Sequence, residues 1–190
     1  MKKLLIGFSG LLCVIALIFS VLRIIHVNNK HKTPAVITYN QGEELTGKNL
    51  KFQVTKSSLM DKKEFEAEYC EFDKNDENRE LLSNDMKLLV VDFEIDNVGQ
   101  DISEFVFFDF MAQSGSWANG WNLEMYRKLN DYNSTLIEIA PGESKELKLV
   151  FCMYDIQFKN HSWNTINNRK FYIVIDCYPV KSRICLSLHN

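Results

Sequence analysis

One pattern constrains this chain more than any other: short apolar–polar alternations that recur from residue 50 to its end. In KLLVVDFEIDNVGQDIS (residues 87 to 103), Leu89, Val91, Phe93 and Ile95 alternate with Val90, Asp92, Glu94 and Asp96, and Asn97-Val98-Gly99 breaks the run. A period of two with one apolar face marks a half-buried antiparallel strand. The same pattern predicts strands near residues 50–54, 65–69, 147–153, 171–177 and 184–188, with an aromatic run at 105–110. About seven such runs joined by polar turns predict a β-sandwich. Helix signals are few. WNLEMYRKLNDY (residues 121 to 132) can make one or two turns with Leu123, Tyr126 and Leu129 on one side, whereas DKNDENRELL (73 to 82) reads as an exposed loop.

The first thirty residues obey a different rule. Lys2 and Lys3 lead into an apolar run over residues 4–25, interrupted only by Gly7, Ser9, Gly10, Ser20 and Arg23. A bilayer core of about 30 Å needs roughly 20 helical residues, and a signal peptide has an apolar stretch of only about 7–15. The one tolerable cleavage point follows Ser20, with bulky Ile18 at the third position before the cut. An uncleaved anchor over residues 1–26 is therefore expected, with secretion after cleavage as the alternative. Cys13 does not make a lipoprotein signal, because Leu12 stands where a small residue is required. The basic N-terminal tail favours a cytoplasmic N-terminus, although Arg23, Lys30 and Lys32 on the other flank oppose it. The expected layout is a single-pass membrane protein with a spacer over 27–40 and an extracytoplasmic domain over 41–190.

Beyond the anchor stand 19 basic and 25 acidic residues, a net charge of −6 with histidine neutral. That balance argues against a nucleic-acid-binding face. Cys70, Cys152, Cys177 and Cys185 also lie there, and an even number outside the cell permits two disulfides in any of three connectivities. Free buried thiols are the other reading. None shows the close paired spacing of a zinc site, so no metal is expected. Parity bears on one pairing: Cys177 falls with its strand's apolar set, whereas Cys185 falls opposite Ile184, Leu186 and Leu188. A tight hairpin with both apolar sets on one face would keep these two thiols apart.

Two segments carry a family resemblance. KLLVVDFEIDNVGQD, a strand ending in an Asn-x-Gly corner, and IEIAPGESKELKLVFCM (137 to 153), a Pro141-Gly142-Glu143 turn feeding an alternating strand, appear in this order after an anchor and spacer. Together they resemble the immunoglobulin-like domains of unknown function on Gram-positive lipoproteins and membrane-anchored surface proteins, over roughly residues 45 to 180. The resemblance implies an all-β, immunoglobulin-like antiparallel β-sandwich of about seven to nine strands at a bacterial surface. It implies no catalytic residues. The immunoglobulin hallmark of two cysteines around a core tryptophan is not evident.

Candidate chemistry is sparse. Asp92, Glu94 and Asp96 project to one face about 7 Å apart, too wide for one calcium ion, and read as the solvated side of a sheet. Asp73, Asn75 and Glu77 mimic a calcium loop, but the sixth place lacks glycine and Asn84 replaces the closing glutamate. No Gly-x-Ser-x-Gly elbow appears, and His161 is the single histidine within the domain body, leaving Cys152 and His161 as the one nucleophile–base candidate. SGSWANGW (114 to 121) is more promising. Trp117 and Trp121, with Tyr126 nearby, are the candidate ligand-binding residues, able to stack on a sugar ring or anchor a protein partner. Alternatively they fold back over the sandwich end, and Trp163 poses the same question. The expected function is a non-catalytic binding or interaction module without cofactor, for a protein or glycan ligand. A structural or accessory subunit of an envelope complex is the alternative.

Overall fold

The computed structural model describes residues 2–30, 34–47, 49–69, 85–130 and 134–188. Cys70, the 73–82 loop with its calcium-like residues and Asn84 lie outside these. The chain divides into two compact units, Met1–Ala35 and Val36–Asn190.

The first unit is helix α1 (Lys2–Lys30). Its window Cys13–Lys30 has a mean hydropathy of 1.4 and is long and apolar enough to cross a membrane. Leu17, Phe19 and Ile24 are exposed along it. A helix that is apolar all round belongs in a core or in lipid.

The second unit is a β-sandwich. Its described residues form eleven strands: β1 (Ala35–Asn40), β2 (Leu45–Gly47), β3 (Leu50–Asp61), β4 (Met86–Asn97), β5 (Ser103–Val106), β6 (Met111–Ser114), β7 (Trp117–Gly120), β8 (Leu136–Ile139), β9 (Ser144–Tyr154), β10 (Tyr172–Asp176) and β11 (Val180–Cys185). One sheet runs β1-β11-β10-β6-β7, the other β2-β3-β4-β9, and β5 and β8 make a two-stranded annex. The long strands are those with the clearest alternation. β4 pairs along its whole length with β9, from Met86 opposite Tyr154 to Asp96 opposite Ser144. Leu89, Val91, Phe93 and Ile95 point into the core with Leu147, Leu149, Phe151 and Met153, meeting Ile173 and Ile184 of the other sheet.

The sheets are clasped on both sides. At one, Asn122 N–H donates to Val150 O (2.8 Å) and Asn119 Nδ2 to Cys152 O (2.9 Å). At the other, Gln41 N–H reaches Cys185 O, and its Oε1 accepts from Ser57 Oγ (2.7 Å) and Ser187 N–H (2.9 Å). These bonds pair carbonyls of β9 and β11, and the Ser187 N–H just past β11, that the sheet ladders do not reach.

Three expectations are corrected. Residues 65–69 are not a strand but lie in helix α2 (Lys62–Tyr69). Asp61 Oδ1 accepts the Glu64 N–H (3.0 Å) while Glu64 Oε2 accepts the Asp61 N–H (2.7 Å), a reciprocal capping box. Phe65 and Tyr69, four apart, then share one helix face with ring centroids 5.3 Å apart. The spacer over 27–40 is not spacer throughout: α1 continues to Lys30, and residues 35–40 are β1, whose β-branched run joins β11. The aromatic run is strand only as far as Val106, after which Phe110 N–H closes a turn onto Phe107 O.

Helix α3 (Leu123–Asn130) forms where the pattern predicts it. With α2 it covers half of the outer face of the β3-β4-β9 sheet. There Met60, Phe65, Met86, Leu88, Val90, Met125, Val150 and Cys152 form a second buried cluster. β4 is thus buried on both faces in its first half and on one face in its second.

The Asn97 corner and the Pro-Gly-Glu turn are a single structure. Asn97 is 1% exposed, and its Nδ2 donates to Asp101 O and Ile139 O, both at 2.8 Å. Its Oδ1 accepts the Gly99 N–H at 2.9 Å. Its backbone meets Glu143 O and the Gly142 N–H, where Gly142 has φ +75°. Glu143 caps the turn by accepting the Ala140 N–H at 2.8 Å, and the Lys145 contact together with this bond holds its carboxyl below the usual range.

Candidate functional site

The aromatic residues singled out by sequence converge, but inward. Residues 111–120 are a tight β6–β7 hairpin, with Ser114 opposite Trp117 and Gly115 at φ +62°. Trp117 is 8% exposed, lies 5.6 Å from the Phe158 ring, and donates its indole N–H to Gln157 Oε1 (3.1 Å). Trp121 donates to Phe107 O (2.9 Å) and packs on Tyr126 at 5.2 Å. Tyr126 is fully buried, with its hydroxyl on Ser134 O. The expected platform of Trp117, Trp121 and Tyr126 is therefore corrected. These rings fill the end of the sandwich, because large apolar area is more stable under the sheet than in water. Trp163 stacks on Phe158 at 5.6 Å in the same way. The Trp117 edge meets a hollow shared with Gln157, Phe158, Lys159, Ser162 and Arg169.

What these rings support is an exposed aromatic site that the sequence reading missed. The turn after Phe107 throws Phe108 outward, 65% exposed, with its ring backed by Trp121 at 6.1 Å. Across a groove of about 530 Å³ stands Tyr178, 78% exposed, in the link between β10 and β11. Asp109, Asn119, Asp176 and Cys177 line the space between. A legible signal existed: adjacent Phe107 and Phe108 cannot both face the core of a period-two strand. The groove combines two apolar ring faces with two carboxylates and an amide. Such a mixture accepts hydrogen bonds from hydroxyls and packs on C–H faces.

The strand acids behave as the solvated side of a sheet. Asp92 pairs with Lys148 (3.0 Å), Glu94 accepts from Gln53 (2.8 Å), and both are only half-buried. Among the described residues no three His, Cys, Asp or Glu side chains are grouped to hold a metal. Cys152, Cys177 and Cys185 are free thiols. Cys185 pairs with Tyr172, at the opposite end of β10 from Cys177, which rules out their joining. Burial pushes the Cys152 thiol up to about 11, the reverse of nucleophile activation, while His161 lies exposed in α4 (Asn160–Asn164).

With the sandwich and its groove in place, a family model described as domain of unknown function DUF5028 matches residues 36–182. The chain belongs to the DUF5028 family. The match begins one residue into β1 and ends within β11, so it spans the sandwich and the groove. No curated protein matches the chain. Two solved structures are similar to the DUF5028 domain in shape. A conserved hypothetical protein from Bacillus anthracis is 13% identical, covering 76% of this chain and 94% of its own, with a TM-score of 0.47. An uncharacterized β-sandwich protein from Clostridium difficile is 10% identical, covering 81% and 96%, with a TM-score of 0.46.

Proposed function

We propose that this protein is a non-catalytic binding module, held by α1 at the outer face of a Gram-positive-type membrane, whose Phe108–Tyr178 groove takes a carbohydrate. The immunoglobulin-like character of the sandwich is part of this reading. The observation that carries it is the groove: two outward aromatic rings flank Asp109, Asp176 and Asn119. Exposed rings of this size hold apolar surface in water, and covering it with a ligand is favourable, while carboxylates are strong acceptors for sugar hydroxyls. The test is a glycan array probed with the full chain in neutral detergent, beside the Phe108→Ala/Tyr178→Ala double variant. Both rings are exposed, so the variant keeps the parent's melting temperature while binding is lost. Equal binding by the variant, or no glycan bound by the parent, overturns the reading.

A second reading, an accessory subunit of an envelope complex, draws on one observation. β1 is an edge strand with Val36 and Ile37 both exposed. Such an edge is open to strand addition by a partner. Crosslinking in native membranes from a probe at Val36 separates the two: a stoichiometric protein partner favours the subunit.

A further inference from the structure

We propose that the outward face of β6, β10 and β11 is a phosphate-binding surface that lays the sandwich against anionic phospholipid headgroups. The proposal rests on the reading of α1 as a membrane anchor and is independent of the groove.

Ion pairing in this acidic domain is uneven. Lys51, Lys56, Lys62, Lys145 and Lys148 each contact a carboxylate. The cations of the five-stranded sheet's outer face contact neutral acceptors instead. Arg169 donates Nε to Ser114 Oγ (3.0 Å) and Nη2 to Ser114 O (2.8 Å). Lys181 donates to Gln113 Oε1 (2.7 Å) and Arg183 Nε to Thr38 Oγ1 (2.9 Å). Arg169, Lys170 and Arg183 line one hollow of about 370 Å³ with Gln113, Ser114 and Tyr172, and no carboxylate lines it.

The two arginines are held ready. Arg183 lies 4.0 Å over the Tyr172 ring and Arg169 5.5 Å over Phe158. A guanidinium has five N–H donors, and the described bonds leave both terminal nitrogens of Arg183 and Nη1 of Arg169 for a ligand. Terminal N–H pairs fixed by stacking match the bidentate geometry of phosphate oxygens. Concentrating on one face of a net-negative domain cations that make no ion pair among the described residues, with Asp176 the acid at its end, orients that face toward an anionic surface.

The choice of membrane over a soluble phosphate follows from the membrane-crossing character of α1. Thr38, which orients Arg183, sits on β1, and β1 begins at Ala35, five residues after Lys30 ends α1. The same chain carries α1, long and apolar enough to cross a membrane, so an anionic headgroup surface is the phosphate source this patch is built to meet. With α1 supplying the attachment, a basic patch selects which face of the domain meets anionic headgroups.

The test uses the full chain in nanodiscs of phosphatidylcholine alone or with phosphatidylglycerol at about 3:1, and reads lysine acylation by mass spectrometry. Lys170 and Lys181 should react several-fold more slowly in the mixed discs at low salt. The difference should vanish at about 1 M salt, where the Debye length is near 3 Å. Lys51 and Lys145, already paired with carboxylates, should not respond. The R169Q/R183Q chain should lose the protection; should it melt early, Lys170→Gln, at an exposed position, carries the test through Lys181. Equal acylation in both discs overturns the proposal. Protection by added polyphosphate in phosphatidylcholine discs, without protection in the mixed discs, also overturns it and assigns the face to a soluble phosphate polymer. Failure to enter either disc refutes the anchor and the proposal with it, leaving the groove reading standing.

Discussion

Asn97 joins three segments, and replacing it isolates what that junction contributes. Asn97→Ala removes two donors, to Asp101 O and Ile139 O, and one acceptor, for the Gly99 N–H. Asp101 is exposed and Gly99 half-buried, so water can replace those two bonds, at about 1 kcal/mol each. Ile139 is fully buried, and its orphaned carbonyl adds about 1–3 kcal/mol. The expected loss is therefore about 3–5 kcal/mol, a large part of the 5–15 kcal/mol typical of a domain. Asn97→Asp keeps the shape and the acceptor but turns a carboxylate oxygen toward two carbonyls, so it should cost at least as much at pH 7. Burial beside carbonyls raises that carboxyl's folded pKa. Stability is then present below the unfolded value near 3.9 and lost as pH rises through the folded one. The N97D deficit should therefore shrink in acid, where the protonated carboxyl donates to one carbonyl, and the N97A deficit should not. Urea unfolding in neutral detergent, followed by tryptophan fluorescence at both pH values, measures this. An N97A chain within about 1 kcal/mol of the parent, or equal N97D and N97A chains at every pH, refutes the junction.

Other expected outcomes follow from neighbouring contacts. Gly99→Ala should destabilise, because the new Cβ would stand 2.7 Å from Asn49 Cβ; adding Asn49→Gly should restore most of the loss by removing that contact and a φ of +66°. Asp61→Ala should cost about 1 kcal/mol and speed amide exchange in α2, since it removes the cap on the Glu64 N–H. Unchanged exchange there would refute the capping box. Cys152 titrates at about 11 in the fold against an ordinary 9.0, so its stabilising contribution is present below pH 9 and lost as pH rises toward 11. A Cys152→Ala chain should lose that alkaline slope, and in the parent at pH 8 Cys177, which is exposed, should react with a thiol reagent far faster than Cys152.

Local pattern determined a good deal. Alternation in residues 87–97 and 144–154 made β4 and β9, because strands this long with one apolar face have few other places to go. The apolar run made α1, and Leu123, Tyr126 and Leu129 marked α3. The Asn97 corner and the Pro141-Gly142-Glu143 turn were each legible, while their joining across residues 97 and 143 belongs to the fold. At residues 65–69 an accidental period of two outweighed the Asp61–Glu64 capping signal. Short strands β2 and β7 carry too few residues for a period, β1 shows no burial alternation, and all three exist because neighbours complete their hydrogen bonds.

Tertiary structure alone decided which aromatic rings face water. Composition marks Trp117, Trp121 and Tyr126 as ligand residues or core with equal ease, since the same large ring serves either end. Packing against Phe107, Phe158 and Phe171 draws them inside, and the turn at residues 107–110 turns Phe108 out. Likewise the cations on β11 and after α4 are distant in sequence from Thr38 and Ser114. Only sheet register gathers them on one face, because strand pairing brings residues together across gaps of 55 and 145 positions that no local pattern spans.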